Sequence, residues 1–201
     1  MRAQQVLEAR PHGVPRPLPG GHERVERGRG ERPGHDRQEG FDRREVHDRL
    51  AARIPEQGAA TLVHGDYRLD NMILSASGEV AAVVDWELCT LGDPLADVGM
   101  LLVYWGAEGD ALMPLMEPAT IAPGFPDRDQ VKSRYAERSG RDLSEIDFYV
   151  ALGLWKLAII LQGVHARFAA GQYGSGDDGQ QFAEIVGRLA EAASDAERRL
   201  A

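Results

Sequence analysis

The run His64-Gly65-Asp66-Tyr67-Arg68-Leu69-Asp70-Asn71, with Asp85 fourteen residues after it, constrains this 201-residue chain more than any other feature. Between Asn71 and Asp85 lie two short apolar runs, 71–74 and 79–84, joined by Ser75-Ala76-Ser77-Gly78. Gly78 can supply the positive φ that a tight connection needs, so the segment reads as a β-hairpin. With the turn centred near Ser77, paired positions sum to about 154, which sets Asn71 opposite about residue 83. Asp85 then emerges at the same end of the hairpin as Asn71. Asp66 sits on the loop just before it, so three oxygen-bearing side chains converge.

That set has a definite chemistry. An amide oxygen beside a carboxylate suits a hard cation such as Mg²⁺, which keeps waters and takes phosphate oxygens as its other ligands. A further carboxylate nearby can orient a hydroxyl group and accept its proton. Together these are the parts needed for phosphoryl transfer to an alcohol. Each residue has a plainer reading as well. A turn aspartate often caps backbone amides, an asparagine can hydrogen-bond within its loop, and Arg68 can form a surface ion pair. Zn²⁺ hydrolysis through His64 and Asp66 fits poorly, because no second histidine cluster accompanies them and asparagine is a poor zinc ligand.

Around the motif the chain reads as helices and short strands. Val46, Leu50 and Ile54 recur at helical spacing before Pro55. Residues 60–63 read as a short buried strand. Asp93-Pro94 is an N-cap with a first-turn proline, opening a helix over about 94–105. Residues 106–126 contain four prolines and three glycines and read as a loop. A helix over 127–138 ends at Gly140. Ser144-Glu145-Ile146-Asp147 resembles a capping box that starts the longest helix, to about residue 170, with Phe148, Leu152, Trp155 and Ile159 on one face. A turn over 171–179 leads to a final amphipathic helix over 180–200. Met100 and Trp155 read as core residues.

Residues 1–50 carry 11 Arg and 9 Asp/Glu, whereas the whole chain has a net charge of −9. That balance argues against nucleic-acid binding. Residues 11–40 hold five Pro, seven Gly and almost no large apolar side chain. Such text cannot bury enough surface to offset its ordering entropy, so 1–42 reads as a disordered or mis-translated arm before a domain over 43–201. His12, His22, His35 and His47 have no metal-motif spacing. The single cysteine, Cys89, excludes an internal disulfide. The N-terminus lacks a signal-peptide apolar region, and the longest near-continuous apolar stretch, 98–106, is far short of a membrane span. The expectation is a cytoplasmic protein that engages no membrane.

His64–Asn71 together with Val83-Val84-Asp85-Trp86-Glu87 resembles the catalytic and metal-binding loops of the aminoglycoside phosphotransferase family, on the protein-kinase-like fold. The segments LVHGDYRLDNMILS, VVDWELCTLGDPLADVGMLLVYW and WKLAIILQGVHARFAAGQYG are similar to the branch related to kinase-like domains linked to acyl-CoA dehydrogenases. The resemblance covers roughly residues 45–201 and implies an α+β fold, a mainly helical C-terminal lobe with a small β-hairpin. It implies Asp66 as catalytic base, and Asn71 and Asp85 as Mg²⁺ ligands that also engage ATP. His64 and Asp97 would brace the loop. Arg68 stands where protein kinases keep a lysine facing the transferred phosphoryl group, and would offset developing charge.

A kinase-like enzyme also needs an N-terminal lobe with a covering loop and a lysine on the phosphates. Lys132 and Lys156 are the only lysines, and both follow the motif. Residues 1–44 cannot form that lobe. The expectation is therefore the C-terminal lobe alone, with the surface that should face the other lobe exposed and open to self-association. Two functions follow from this: a phosphotransferase acting on a small-molecule hydroxyl group, in truncated form, or a non-catalytic kinase-like lobe serving as a binding module. For the first, a hydroxyacyl or other metabolite alcohol ranks ahead of an aminoglycoside.

Overall fold

The computed structural model describes residues 37–38, 41–107, 109–111, 118–169 and 178–200. The arm over 1–36, the centre of the loop at 112–117 and the turn over 170–177 lie outside the described residues. What is described is mostly helical, with three two-stranded antiparallel ladders.

The first ladder joins β1 (Arg37–Gln38) to β2 (Phe41–Asp42). Helix α1 (Arg43–Ala51) follows and buries Val46 and Leu50. Ile54 does not continue that face and is exposed. The residue before a proline is pushed out of the helical region, so Pro55 ends the helix early and turns Ile54 away. Helix α1 is fastened to the last helix through a buried charge. Glu197 accepts from Arg49 at 3.2 Å and pairs with Arg53 at 3.1 Å.

Strand β3 (Thr61–Val63) leads to the loop of interest, and only Val63 of its three residues is buried. The hairpin forms from β4 (Met72–Leu74) and β5 (Val80–Val83). Its register differs slightly from the sequence expectation. Leu74 pairs with Val80, but an irregularity between Ile73 and Leu74 sets Ile73 opposite Ala82 and Met72 opposite Val83. The extra residue carries the ladder on, so Val84 N–H donates to the Asn71 carbonyl at 2.9 Å. Asp85 therefore follows directly on the residue bonded to Asn71. A further strand, β6 (Thr90–Gly92), pairs back onto β3. Three residues give too few alternations for the sequence to reveal it.

Helix α2 (Leu95–Tyr104) opens with Asp93 Oδ1 accepting the Leu95 N–H at 2.9 Å. Helix α3 (Arg128–Ser139) has a reciprocal capping box between Asp127 and Gln130, and ends at Gly140 with φ 66°. Helix α4 (Ile146–Ala169) starts differently from expectation. Ser144 donates both its N–H and its hydroxyl to the Asp142 carboxylate, each at 2.9 Å. A charged acceptor two residues back wins that hydroxyl over a capping role. Helix α5 (Asp178–Arg198) closes the described chain.

The core lies where α2 and α5 pack on α4. A Cβ at Gly99 would come within 2.6 Å of the Tyr149 backbone, so α2 and α4 cross at van der Waals contact. Met100, Val103, Leu157, Ile185 and Leu189 interlock nearby, and Trp155 packs against the neighbouring cluster as a partly buried residue. By length and composition α4 could cross a bilayer, a feature that a search for unbroken apolar runs overlooks. Here its apolar side chains serve the contacts with α2 and α5.

Candidate active site

Strand β3 delivers its chain directly into His64 and Gly65. Gly65 has φ +86°, and an added Cβ would lie 2.7 Å from the Leu88 carbonyl oxygen. Only glycine serves there, because both the backbone conformation and the space forbid a side chain. From the first turn of α2, Asp97 reaches back to the loop. Its carboxylate accepts the His64 N–H at 2.6 Å and the Gly65 N–H at 2.9 Å. These are charge-assisted bonds, the strong class.

His64 is 1% exposed. Its Nδ1 accepts the Asp66 N–H at 3.2 Å, which leaves Nε2 to donate to the Val84 carbonyl at 2.8 Å. The two partners together select the Nε2–H tautomer. Trp86 lies against the ring at 4.7 Å between centroids and Tyr67 at 6.0 Å. Burial and the Asp97 charge raise the Tyr67 pKa. His64 thus ties the loop to the end of β5.

Asn71 is buried at the start of the hairpin. Its amide nitrogen donates to the Asp66 carbonyl at 2.8 Å and to Asp66 Oδ2 at 3.2 Å. That leaves Oδ1 as the atom able to ligate a cation. Asp85 follows β5 with φ 67° and ψ 51°, the left-handed region, and is the only non-glycine residue with positive φ among the described residues. Such a backbone costs on the order of 1–2 kcal/mol and persists where the surroundings enforce it. The Asp85 side chain is exposed.

Arg68 lies beside Asp66. Its Nε is 3.7 Å from Asp66 Oδ2, its Nη2 is 3.3 Å from Asp70 Oδ2, and its guanidinium sits 4.8 Å from the Tyr104 ring centre. Burial opposes the Arg68 charge, yet Tyr104, Asp66 and Asp70 outweigh it and raise the pKa. Arg68 Nε is buried and has no hydrogen-bond acceptor among the described residues. A buried donor left open costs about 1–3 kcal/mol unless something fills it.

The donor set fits Mg²⁺ and ATP phosphates. Asn71 Oδ1 and the Asp85 carboxylate are hard oxygen ligands, and the Arg68 guanidinium beside Asp66 supplies the positive charge that phosphate oxygens favour. Among the described residues, no three His, Cys, Asp or Glu side chains gather as a metal cage. A cation held by Asn71 and Asp85 would complete its shell from phosphate and water.

Sequence reasoning missed Lys156. From the middle of α4 its Nζ donates to the Gly65 carbonyl oxygen at 2.6 Å. Its one signal was a cation in the middle of the apolar stretch of a long helix, a position where charge needs a specific partner. His165, by contrast, lies near the far end of α4, and Glu87 and Cys89 are exposed.

Residues 4–143 match the phosphotransferase enzyme family. The chain is 37% identical over 150 residues to mouse acyl-CoA dehydrogenase family member 10, covering 73% of this chain and 14% of that protein. It is 34% identical over 150 residues to human acyl-CoA dehydrogenase family member 11, covering 71% of this chain and 19% of that protein. The chain thus spans less than a fifth of the length of these relatives. A crystal structure from Ralstonia eutropha JMP134, provisionally assigned as an aminoglycoside phosphotransferase, superposes with a TM-score of 0.65 at 30% identity. That match covers 78% of this chain and 49% of the solved one.

Proposed function

This chain belongs to the phosphotransferase enzyme family, and we propose that it serves phosphoryl transfer from Mg²⁺-bound ATP to a hydroxyl group of a small molecule. The observation that carries this reading is the Asp66 carboxylate held by Asn71 beside the Arg68 guanidinium. Asp66 accepts the proton of the attacking hydroxyl group and orients its oxygen. Asn71 and Asp85 would hold Mg²⁺, which would supply neutralisation of the phosphate charge. Arg68 offsets charge on the transferred group. Asp97, His64 and Lys156 keep the Gly65–Asp66 backbone fixed, which matters because this chemistry depends mostly on positioning.

For the acceptor we propose a hydroxyacyl compound or another metabolite alcohol ahead of an aminoglycoside. The support is the likeness to proteins named acyl-CoA dehydrogenase family members. Those names belong to the relatives. The test is ADP release and product mass on a panel of hydroxy acids, their thioesters and aminoglycosides, with Mg²⁺ and ATP. Transfer to a hydroxy acid or thioester that is lost in Asp66→Asn supports the reading. Transfer to aminoglycosides alone overturns the acceptor ranking.

A second reading has its own observation. Leu62 and Leu91, opposite one another on β3 and β6, are exposed, as are Trp86 and Leu88 just before β6. An apolar face of this kind marks an interaction surface. In this reading the chain is a non-catalytic kinase-like lobe that binds a partner, or another copy of itself, through that face. No ADP release on any acceptor, together with concentration-dependent association, favours it.

A further inference from the structure

A cavity of about 310 Å³ opens between α2, α3, α4 and α5. No residue of the His64–Asn71 loop lines it. Its apolar walls come from Leu102 and Val103 of α2, Val150 and Leu154 of α4, and Leu189 and Ala192 of α5. Helix interiors normally pack at crystal density and leave few voids larger than a water molecule. A space of this size with mainly apolar walls and a few polar groups falls in the range of small-molecule sites.

The polar wall is fixed in place. Arg128 of α3 donates to the Asp110 carboxylate at 3.2 and 2.5 Å and to the Leu102 carbonyl at 2.9 Å. Arg188 of α5 donates to the Asp110 carbonyl at 2.9 Å. Asp110 is thereby neutralised and held between two helices, so the opening has a built edge.

The mouth retains two cations with weak claims on them. Lys132 of α3 pairs with Asp129 at 2.6 Å, but Asp129 is 86% exposed, and an exposed pair holds its partners loosely. Arg199, just beyond α5, donates Nε to the Asp195 carbonyl at 3.1 Å and not to a carboxylate. Asp147 is the remaining acid on the lining and is exposed. Among the lining residues alone, Arg128, Lys132 and Arg199 outnumber Asp110 and Asp147 by one cation, in a chain of net charge −9.

We propose that this cavity binds a small amphipathic anion, a short apolar chain ending in a carboxylate. The head meets Lys132 and Arg199, and the chain lies against Leu154, Leu189 and Ala192. Nothing in this depends on the phosphotransferase reading.

Calorimetric titration of the whole chain with octanoate, octylammonium and octanol tests it. Octanoate is expected to bind at a single saturable site, with octylammonium about tenfold weaker or worse. Lys132→Glu should weaken octanoate about three- to tenfold, the range for loss and reversal of one exposed charge. Ala192→Phe, which fills the cavity, should abolish binding with an unchanged circular dichroism spectrum. Three results overturn the proposal: no saturable octanoate binding, octylammonium binding as tightly, or unchanged octanoate affinity in Lys132→Glu. Lys132 is a rim side chain, so that last arm decides the matter even if Ala192→Phe does not fold.

Discussion

Lys156 of α4 donates its ammonium to the carbonyl oxygen of Gly65, 91 positions earlier in the chain, at 2.6 Å. Asp97 takes the Gly65 N–H from the other side. Gly65 is thus gripped at both of its backbone polar atoms, in the two peptides that flank its Cα, by side chains from two helices. Glycine is needed at that point, and glycine by itself does not hold a conformation. The grip supplies the rigidity that the residue lacks.

Lys156→Met should therefore lower stability by about 1–3 kcal/mol, the range for losing a charged hydrogen-bond partner from a part-buried carbonyl. Amide hydrogen exchange at Gly65 and Asp66 should quicken more than exchange in α5. Lys156→Arg should restore part of the protection. Equal quickening throughout the chain would mean that Lys156 stabilises the fold without any particular hold on the loop.

Asp66→Asn should lower turnover about 10²–10⁴-fold, the usual contribution of a general base, with little change in ATP affinity. The amide keeps an oxygen to accept the Asn71 donor, so the loop should survive the change. Near-normal turnover in a correctly folded variant would remove Asp66 from the base role.

The hairpin, the helices and several of their ends were legible because they rest on local chemistry: Gly78 and Gly140 at positive φ, Asp93-Pro94 ahead of α2, and apolar residues at helical spacing. What was not legible depends on partners distant in sequence. Nothing near Lys156 indicates Gly65, and nothing in Thr90-Leu91-Gly92 indicates β3. The irregularity between Ile73 and Leu74 has no residue signature, yet it moves the Asn71 partner from about residue 83 to Val84. The sequence also flagged residues 60–63 as buried, whereas Leu62 faces solvent opposite an equally exposed Leu91. Burial on an edge ladder depends on what covers it, which a local pattern cannot reveal.

Stability should fall at high pH through Tyr149. Burial first, and then Asp93, push its hydroxyl up to about 12 from the ordinary 10.0. The folded state keeps the proton where the unfolded state releases it. This stabilisation is complete below about pH 10 and is lost as pH rises through about 12. Tyr149→Phe should flatten the fall in unfolding free energy between those pH values. Parallel curves for the two proteins would show that Tyr149 is not the group involved.

Gly65→Ala should cost more than Gly78→Ala, although both glycines have φ above +80° or close to it. At Gly78 the added Cβ meets nothing within 4 Å, so only backbone strain of about 1–2 kcal/mol applies. At Gly65 the same strain adds to a contact of 2.7 Å with the Leu88 carbonyl oxygen. Denaturant midpoints of the two variants measure the difference. Equal midpoints would mean that the segment around Leu88 yields freely.

Asp85 allows stability and function to be separated at one position. Its left-handed backbone suits glycine, so Asp85→Gly should be as stable as the parent or up to about 1 kcal/mol more stable, after the entropy of the unfolded glycine is counted. Asp85→Ala keeps the strained conformation without a side-chain oxygen and should lose about 1 kcal/mol. Both variants remove the carboxylate proposed to hold Mg²⁺, so both should weaken Mg²⁺-dependent ATP binding to the same extent despite their opposite effects on stability. Asn71→Ala should add little to either, because one cation site already broken cannot be broken again. Nucleotide titrations with and without Mg²⁺, beside denaturant melts, read the two properties separately. Losses that simply add in the double variant Asn71→Ala/Asp85→Ala, or binding that tracks stability across the series, would show that Asp85 shapes the loop and holds no metal.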